Sequence, residues 1–147
     1  MGGAFRFTRR VEFCETDAAG IAHFSALLCY MEQAEHAFWR FLGVSVMADL
    51  GDGWHLSWPR VHVECDFKGA AKFEDELEIE VAVERIGRSS LTTSYTVSRD
   101  GTTIATGKTT AVCCKVRAAS EMASMEIPSD LRARLEDYLQ QGDGRKA

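Results

Sequence analysis

Between Phe24 and Gly43 the apolar residues Leu27, Leu28, Met31, Ala34, Phe38, Phe41 and Leu42 recur at spacings of three and four, with Glu32, Gln33, Glu35 and Arg40 between them. That is the period of a helix with one stripe turned to a core. The rise per residue makes it about five turns long, and Gly43 stands where a helix commonly closes. One long helix with one apolar stripe needs an apolar surface of comparable length, and the rest of the chain offers strands. Phe5, Phe7, Val11 and Phe13 fall on alternate positions, with a gap at Arg9, as a first strand. After a loop at Gly51-Asp52-Gly53, extended segments run over 55–68, 77–86, 91–99 and 102–116. Leu77, Ile79, Val81 and Val83 alternate with Glu76, Glu78, Glu80 and Glu84, interrupted by Ala82, so one face is apolar and the acidic one is expected to be solvated. Asp100-Gly101 between two such segments signals an antiparallel hairpin. Pro128 is expected to begin a short C-terminal helix with Leu131, Leu135, Tyr138 and Leu139 on one side, before a loose polar tail over 140–147. The pattern is α+β, with a single antiparallel sheet wrapped around the long helix.

A chain of 147 residues with 46% hydrophobic content is ample for one compact domain and short for two, so 1–147 reads as a single domain. With 17 basic and 22 acidic residues the net charge is −5, which disfavours general nucleic-acid binding, since phosphate contacts need concentrated Lys and Arg. No window approaches the roughly 20 apolar residues of a membrane span, and the start Met1-Gly2-Gly3-Ala4-Phe5-Arg6 has no apolar leader core. These features predict a cytoplasmic protein that engages neither membrane nor nucleic acid. Cys14, Cys29, Cys65, Cys113 and Cys114 are odd in number and lack metal-site spacing, so no disulfide framework and no metal site are expected.

The chemistry concentrates just before the helix, in Glu15-Thr16-Asp17-Ala18-Ala19-Gly20-Ile21-Ala22-His23-Phe24. A carboxylate in a glycine-containing turn stands next to a helix start, whose first N–H groups are unpaired and carry partial positive charge. Such a start polarises a carbonyl oxygen while the neighbouring carboxylate attacks it or activates water, which suits acyl transfer. The plainer reading is that Asp17 caps the turn, as Asp often does before helices, and capping and catalysis are compatible.

These residues also carry a resemblance. Arg10-Val11-Glu12-Phe13, Thr16-Asp17-Ala18-Ala19-Gly20-Ile21, Tyr30-Met31-Glu32-Gln33-Ala34 and Leu42-Gly43 are followed in order by the stretch from Ala70 to Leu77, Arg85-Ile86-Gly87-Arg88-Ser89-Ser90-Leu91, Ala105-Thr106-Gly107-Lys108 and Ile127-Pro128. Together they resemble a hotdog-fold acyl-CoA thioesterase of the 4-hydroxybenzoyl-CoA thioesterase type over nearly the whole chain. The resemblance implies a homodimer, or a tetramer of dimers, with active sites built between subunits. It implies Asp17 as nucleophile or general base on the thioester, and Gly20, Ile21 and the residues up to Phe24 as the oxyanion site, with the backbone N–H of about Phe24 as donor. His23 would orient substrate or assist proton transfer; otherwise it is a hydrogen-bonded histidine of the first turn. Arg88, Ser89 and Ser90, with Arg85 and Lys72 nearby in sequence, would contact coenzyme A, or else form an ordinary charged turn. Trp58, with Trp54, His55 and Pro59, would line the acyl pocket, or else fill the core. Coenzyme A enters as part of the substrate, and no metal or redox cofactor is implied. The expected reaction is hydrolysis of a small, medium or aromatic acyl-CoA.

Three other readings compete. A hotdog enoyl-CoA hydratase would need a His and acid pair in its own motif, which the chain lacks. A non-catalytic acyl-CoA-binding dimer would bind coenzyme A without hydrolysis. A hydrolase using Cys14 or Cys29 as nucleophile lacks a recognisable Cys and His arrangement. A helical glutamate, Glu32 or Glu35, serves as catalytic carboxylate in another hotdog branch, but with Asp17 matched both are expected to be structural or interfacial.

Overall fold

A computed structural model of the chain describes residues 3–118 and 120–140. In chain order the elements are β1 (Phe5–Arg10), a 3-10 turn (Phe13–Glu15), α1 (Phe24–Phe41), β2 (Asp49–Gly51), β3 (Trp54–Ser57), β4 (Arg60–Phe67), β5 (Glu76–Ile86), β6 (Ser90–Arg99), β7 (Thr102–Val112), β8 (Cys114–Val116), β9 (Met122–Ser124) and α2 (Ser129–Glu136). Every paired strand is antiparallel: β1-β5-β6-β7-β4 make a five-stranded sheet and β2-β3-β8-β9 a four-stranded one. The larger sheet holds α1 against its apolar face, so the predicted architecture of a long helix within an antiparallel sheet is the one observed.

The alternation read in 77–83 is realised in β5, where Leu77, Ile79, Val81 and Val83 are fully buried. They form the core with Val97 and Ala105 from the sheet and Leu27, Tyr30, Met31, Ala34 and Phe38 from α1. The Met31 side chain of α1 reaches down onto β7, where a Cβ at Gly107 would meet its sulfur at 2.6 Å and the Glu64 carbonyl oxygen at 3.2 Å, so the glycine makes room for the methionine end. On the outer face the acidic residues are not merely solvated: Arg10 pairs with Glu76, and Lys108 with Glu84 at 2.9 Å. At such exposure these pairs contribute little to stability. The Asp100-Gly101 turn joins β6 to β7 as predicted.

The structure corrects four boundaries. The first strand stops at Arg10; Phe13 sits in the 3-10 turn, largely exposed, edge-on to Phe73 at 5.6 Å. The single sheet expected from periodicity is two, because the segments 55–68 and 102–116 each break. Pro59 has no N–H to give the ladder, and the Cys113 N–H turns aside to the Ser89 carbonyl at 2.6 Å. The β3–β8 pair therefore continues the β4–β7 ladder beyond a kink and carries β2 and β9 at its flanks. α2 ends at Glu136, and Tyr138 and Leu139 follow in a turn that bonds back to Val83. Gln140, placed in the loose tail, donates its N–H to the Val83 carbonyl at 2.8 Å; 141–147, like Met1 and Gly2, lie outside the described residues.

Candidate active site at the start of the long helix

Residues 15–23 form a miniature hairpin. Asp17 N–H donates to the Ile21 carbonyl at 2.8 Å, His23 N–H to the Glu15 carbonyl at 2.8 Å, and Thr16 bridges Ala22. Gly20 at its tip has φ +80°, a left-handed conformation that costs glycine nothing. The hairpin is fastened to the chain before β5: Ala22 N–H donates to the Ala71 carbonyl at 2.7 Å and Ile21 bridges Lys72. Asp17 both caps the turn and keeps an oxygen in reserve. Its Oδ1 accepts the Ala19 N–H at 2.8 Å and lies 3.5 Å from the Ile21 nitrogen, whereas Oδ2 has no hydrogen-bond partner among the described residues.

His23 is the N-cap of α1. Its Nδ1 accepts the Ser25 N–H at 3.2 Å and lies 2.8 Å from the Ser25 hydroxyl, which places the ring proton on Nε2, and the ring leans on Phe24 at 4.4 Å. Phe24 begins the helix with its side chain exposed, and its N–H has no acceptor among the described residues. A free first-turn N–H at the positive end of an 18-residue helix suits a developing oxyanion. A cleft of about 380 Å³ opens on the stem side of the hairpin, between the segment Cys14 to Thr16 and the side of the helix start formed by His23, Ser25, Ala26 and Cys29; neither Asp17 nor Phe24 lines it.

Beneath the hairpin lies a polar cluster that the sequence did not disclose. Glu15 is the hub: one carboxylate oxygen pairs with Arg9, and the other accepts the Tyr30 hydroxyl at 2.9 Å and the Glu12 N–H at 2.8 Å. Arg9 also donates to Gln33 at 2.6 Å and stacks over the Tyr30 ring at 4.2 Å. Burial first, then the Glu15 carboxylate, push the Tyr30 phenol up. A second cluster is buried at mid-helix, where Glu35, 3% exposed, accepts from Tyr95 at 2.6 Å, Arg60 at 2.5 Å and the Trp39 indole at 3.3 Å. The Tyr95 phenol is pushed well up by burial and then by the Glu35 charge. Glu32 is exposed on the same helix.

Asp17, Gly20, Ile21, His23 and Phe24 are thus brought together, and the remaining candidates are not. Trp58 is buried against Trp39 at 5.2 Å, and its indole N–H has no partner among the described residues. Trp39 lies 15 residues along α1 from Phe24, about 22 Å at the helical rise, so within one chain Trp58 fills the core rather than lining the cleft. Arg88, Ser89 and Ser90 turn the chain from β5 to β6 and are braced from behind, where Arg132 donates to the Gly87 carbonyl at 2.7 Å and Ile127 N–H to the Arg88 carbonyl at 2.9 Å. The hairpin is fastened ahead of the first residue of β5 and this turn follows its last, a separation of about 35 Å along an extended strand. Lys72 belongs to the hairpin end and not to the Arg88 turn. Among the described residues no three His, Cys, Asp or Glu side chains gather where they could hold a metal ion.

Residues 11–135 match the thioesterase-like superfamily. The chain is 30% identical over 136 residues to a 1,4-dihydroxy-2-naphthoyl-CoA hydrolase of Synechococcus elongatus, an alignment covering 92% of this chain and 95% of that protein. Among solved structures it is similar to the dynemicin thioesterase, with a TM-score of 0.83, 26% identity and coverage of 95% and 100% of the two chains. It is also similar to a gentisyl-coenzyme A thioesterase, with a TM-score of 0.77, 28% identity and coverage of 88% and 98%. The chain belongs to the thioesterase-like superfamily, as an acyl-CoA thioesterase of the hotdog fold.

Proposed function

We propose that this thioesterase hydrolyses an aromatic acyl-CoA to the free aromatic acid and coenzyme A, with the hairpin and the first turn of α1 as its catalytic centre. The observation that carries this reading is the adjacency of a carboxylate with one oxygen free, Asp17 Oδ2, and a helix start whose Phe24 N–H lacks an acceptor among the described residues. In this reading the Phe24 N–H receives the thioester oxygen as charge develops on it, and Asp17 attacks the carbonyl carbon or takes a proton from attacking water. The carbon–sulfur bond breaks and coenzyme A leaves as the thiolate; where Asp17 is the nucleophile, water then hydrolyses the mixed anhydride to the acid and restores the carboxylate, and where Asp17 is the base, the proton it took passes to the thiolate or to solvent. Gly20 and Ile21 shape the approach, and His23, its ring fixed by the cap, directs Nε2–H toward the substrate. An aromatic acyl group is supported by the dihydroxynaphthoyl and gentisyl groups in the relatives' names. No metal or redox cofactor has a step in this scheme.

The functional unit in this reading is a homodimer. β4 is an edge strand that exposes Val61, Val63 and Phe67, an unpaired apolar border of the kind a second copy covers. Two copies also reconcile the site with its distant parts, since Arg88, Ser89 and Ser90 from one subunit can serve coenzyme A bound at the hairpin of the other. All five cysteines are free, with Cys14 and Cys29 exposed, which suits a reducing, cytoplasmic setting.

The test is free-thiol release from dihydroxynaphthoyl-, gentisyl-, benzoyl-, short-chain and long-chain acyl-CoA by the wild-type and Asp17→Asn proteins. Fastest turnover of an aromatic ester, lost in a folded Asp17→Asn protein, supports the reading. Turnover of aliphatic esters alone overturns the substrate class, and full activity in Asp17→Asn overturns the site. Sedimentation equilibrium of the wild type beside Val63→Lys tests the dimer; a wild-type monomer would end that part of the proposal.

A further inference from the structure

We infer that Glu15 is a positioning residue for hydrolysis: its carboxylate, clamped between Arg9 of β1 and Tyr30 of α1, sets where the Asp17 hairpin stands relative to the first N–H groups of the helix. The inference rests on the proposed role of the hairpin and deepens it. Asp17 and Phe24 belong to different pieces of backbone, one in a turn and the other in a helix, and chemistry between them requires their relative placement to hold to within a fraction of an ångström. Three connections bear on that placement. The Ala22 and Ile21 contacts tie the hairpin to 71–72, in the segment that leads into β5 and not to the helix. The His23 N–H to Glu15 carbonyl bond closes the stem where the hairpin enters α1. The Tyr30 hydroxyl to Glu15 Oε1 bond is the side-chain link from that stem to the body of the helix, six residues beyond Phe24.

Glu15 therefore holds the hairpin through both its main chain and its side chain. Both of its carboxylate oxygens are engaged by donors from three segments, Oε2 by Arg9 and Oε1 by Glu12 and Tyr30, and the side chain is 17% exposed beside an Arg9 side chain that is 19% exposed. Tyr30 is fully buried and its ring carries Arg9 on its face, so neither partner has freedom to follow a displaced hairpin. Glu15 also walls the cleft beside His23 without an oxygen to spare for substrate, which makes it a brace and not a reagent.

The experiment compares Glu15→Gln, Tyr30→Phe and Asp17→Asn with the wild type in kcat, KM, coenzyme A affinity and thermal midpoint. Glu15→Gln keeps size and an acceptor but loses the charge that holds Arg9; Tyr30→Phe removes one hydroxyl from outside the hairpin. The expected result is a fall in kcat of about tenfold to a hundredfold in Glu15→Gln and a smaller fall in Tyr30→Phe, with KM and coenzyme A affinity within about threefold of wild type. Wild-type kcat in both variants, while Asp17→Asn is inactive, overturns the inference and leaves the site standing. A loss of kcat matched by an equal loss of coenzyme A binding or of folded protein also overturns it, because a merely structural role predicts that pattern. Full activity in Asp17→Asn overturns the reading of the site, and the positioning role with it.

Discussion

Asp17 and Glu35 are both carboxylates tied into hydrogen bonds, yet they are fitted for opposite tasks. Glu35 is 3% exposed and faces Arg60, Tyr95 and Trp39, so its charge is consumed in holding α1 to β4 and β6. Asp17 spends one oxygen on its own turn and keeps the other without a partner among the described residues. The difference shows what separates a brace from a reagent in this fold. A carboxylate whose two oxygens both hold donors is fixed in place, while one with an oxygen left over beside an open helix start has something to give a substrate. It also supports assigning the chemistry to Asp17 over the helical glutamate.

The sharpest way to break the comparison is to neutralise each carboxylate. Asp17→Asn keeps an oxygen for the Ala19 N–H and loses the charge, so kcat should fall about a thousandfold, about 4 kcal/mol in barrier, with the thermal midpoint nearly unchanged. Glu35→Ala should do the reverse. It removes the acceptor shared by Arg60, Tyr95 and Trp39 and leaves a cavity, while Arg60 keeps partial access to solvent and the Tyr95 hydroxyl keeps Thr109 at 3.0 Å. The cost should be about 2 kcal/mol of stability in chemical denaturation, while the folded fraction retains most of its kcat/KM. If Glu35→Ala abolished turnover in a stably folded protein, the division of labour would be wrong.

Smaller effects sharpen the picture. Asp75 stands where 71–75 meets the hairpin; its carboxyl is held below the usual carboxylate range by the Lys72 N–H first and then by Arg99, each at 2.8 Å. A carboxyl lowered by folding stabilises above its unfolded value and loses that contribution as pH falls through its folded one. Asp75→Asn should therefore cost about 1 kcal/mol at pH 7, and the gap from wild type should close below about pH 4. Tyr30 and Tyr95 shift upward, so the opposite limb applies to them. The unfolded chain loses those protons near pH 10 while the native chain keeps them, and denaturation midpoints should decline above about pH 10. Smallest in energy is a contrast of thiols. Burial pushes the Cys113 thiol up to about 11, whereas Cys14 and Cys29 are exposed, so peptide mass spectrometry after brief iodoacetamide treatment should find the label on Cys14 and Cys29 and not on Cys113.

Periodicity sufficed where one face of an element is buried and the other is not. The stripe of α1 and the alternation of β5 each repeat a single physical demand many times, so they were legible as residues alone. The kink was readable in part, since Pro59 inside 55–68 forbids an unbroken ladder, but the matching break at Cys113 depends on the Ser89 carbonyl, which lies far off in sequence. The Asp17 turn was legible because its parts are contiguous, and the resemblance gave it meaning. Arg9, Glu15 and Tyr30 escaped notice because no spacing rule joins a strand, a turn and a helix, and each of those residues is ordinary in its own setting. The pair Glu35 and Arg60 escaped for the same reason, although a glutamate on the apolar stripe of a helix was a signal that its charge had to be met inside. Trp58 stayed open between two readings because a large aromatic ring suits a pocket and a core equally well.

Gly107 carries a consequence at a distance from all of this. With the Met31 thioether seated where a Cβ would stand, one absent methyl group makes the berth into which the middle of the helix lets down a side chain. An alanine at 107 would work like a stone dropped into that berth: the thioether, a flexible end, would swing aside, and the Glu64 carbonyl at 3.2 Å would give by a few tenths of an ångström. The disturbance would stay in the packing between Met31 and the sheet, next in sequence to the Tyr30 whose hydroxyl is proposed to steady the hairpin. A position inside the sheet, touching no substrate, would in this way test how far the meeting of loop and helix is insulated from the core beneath it.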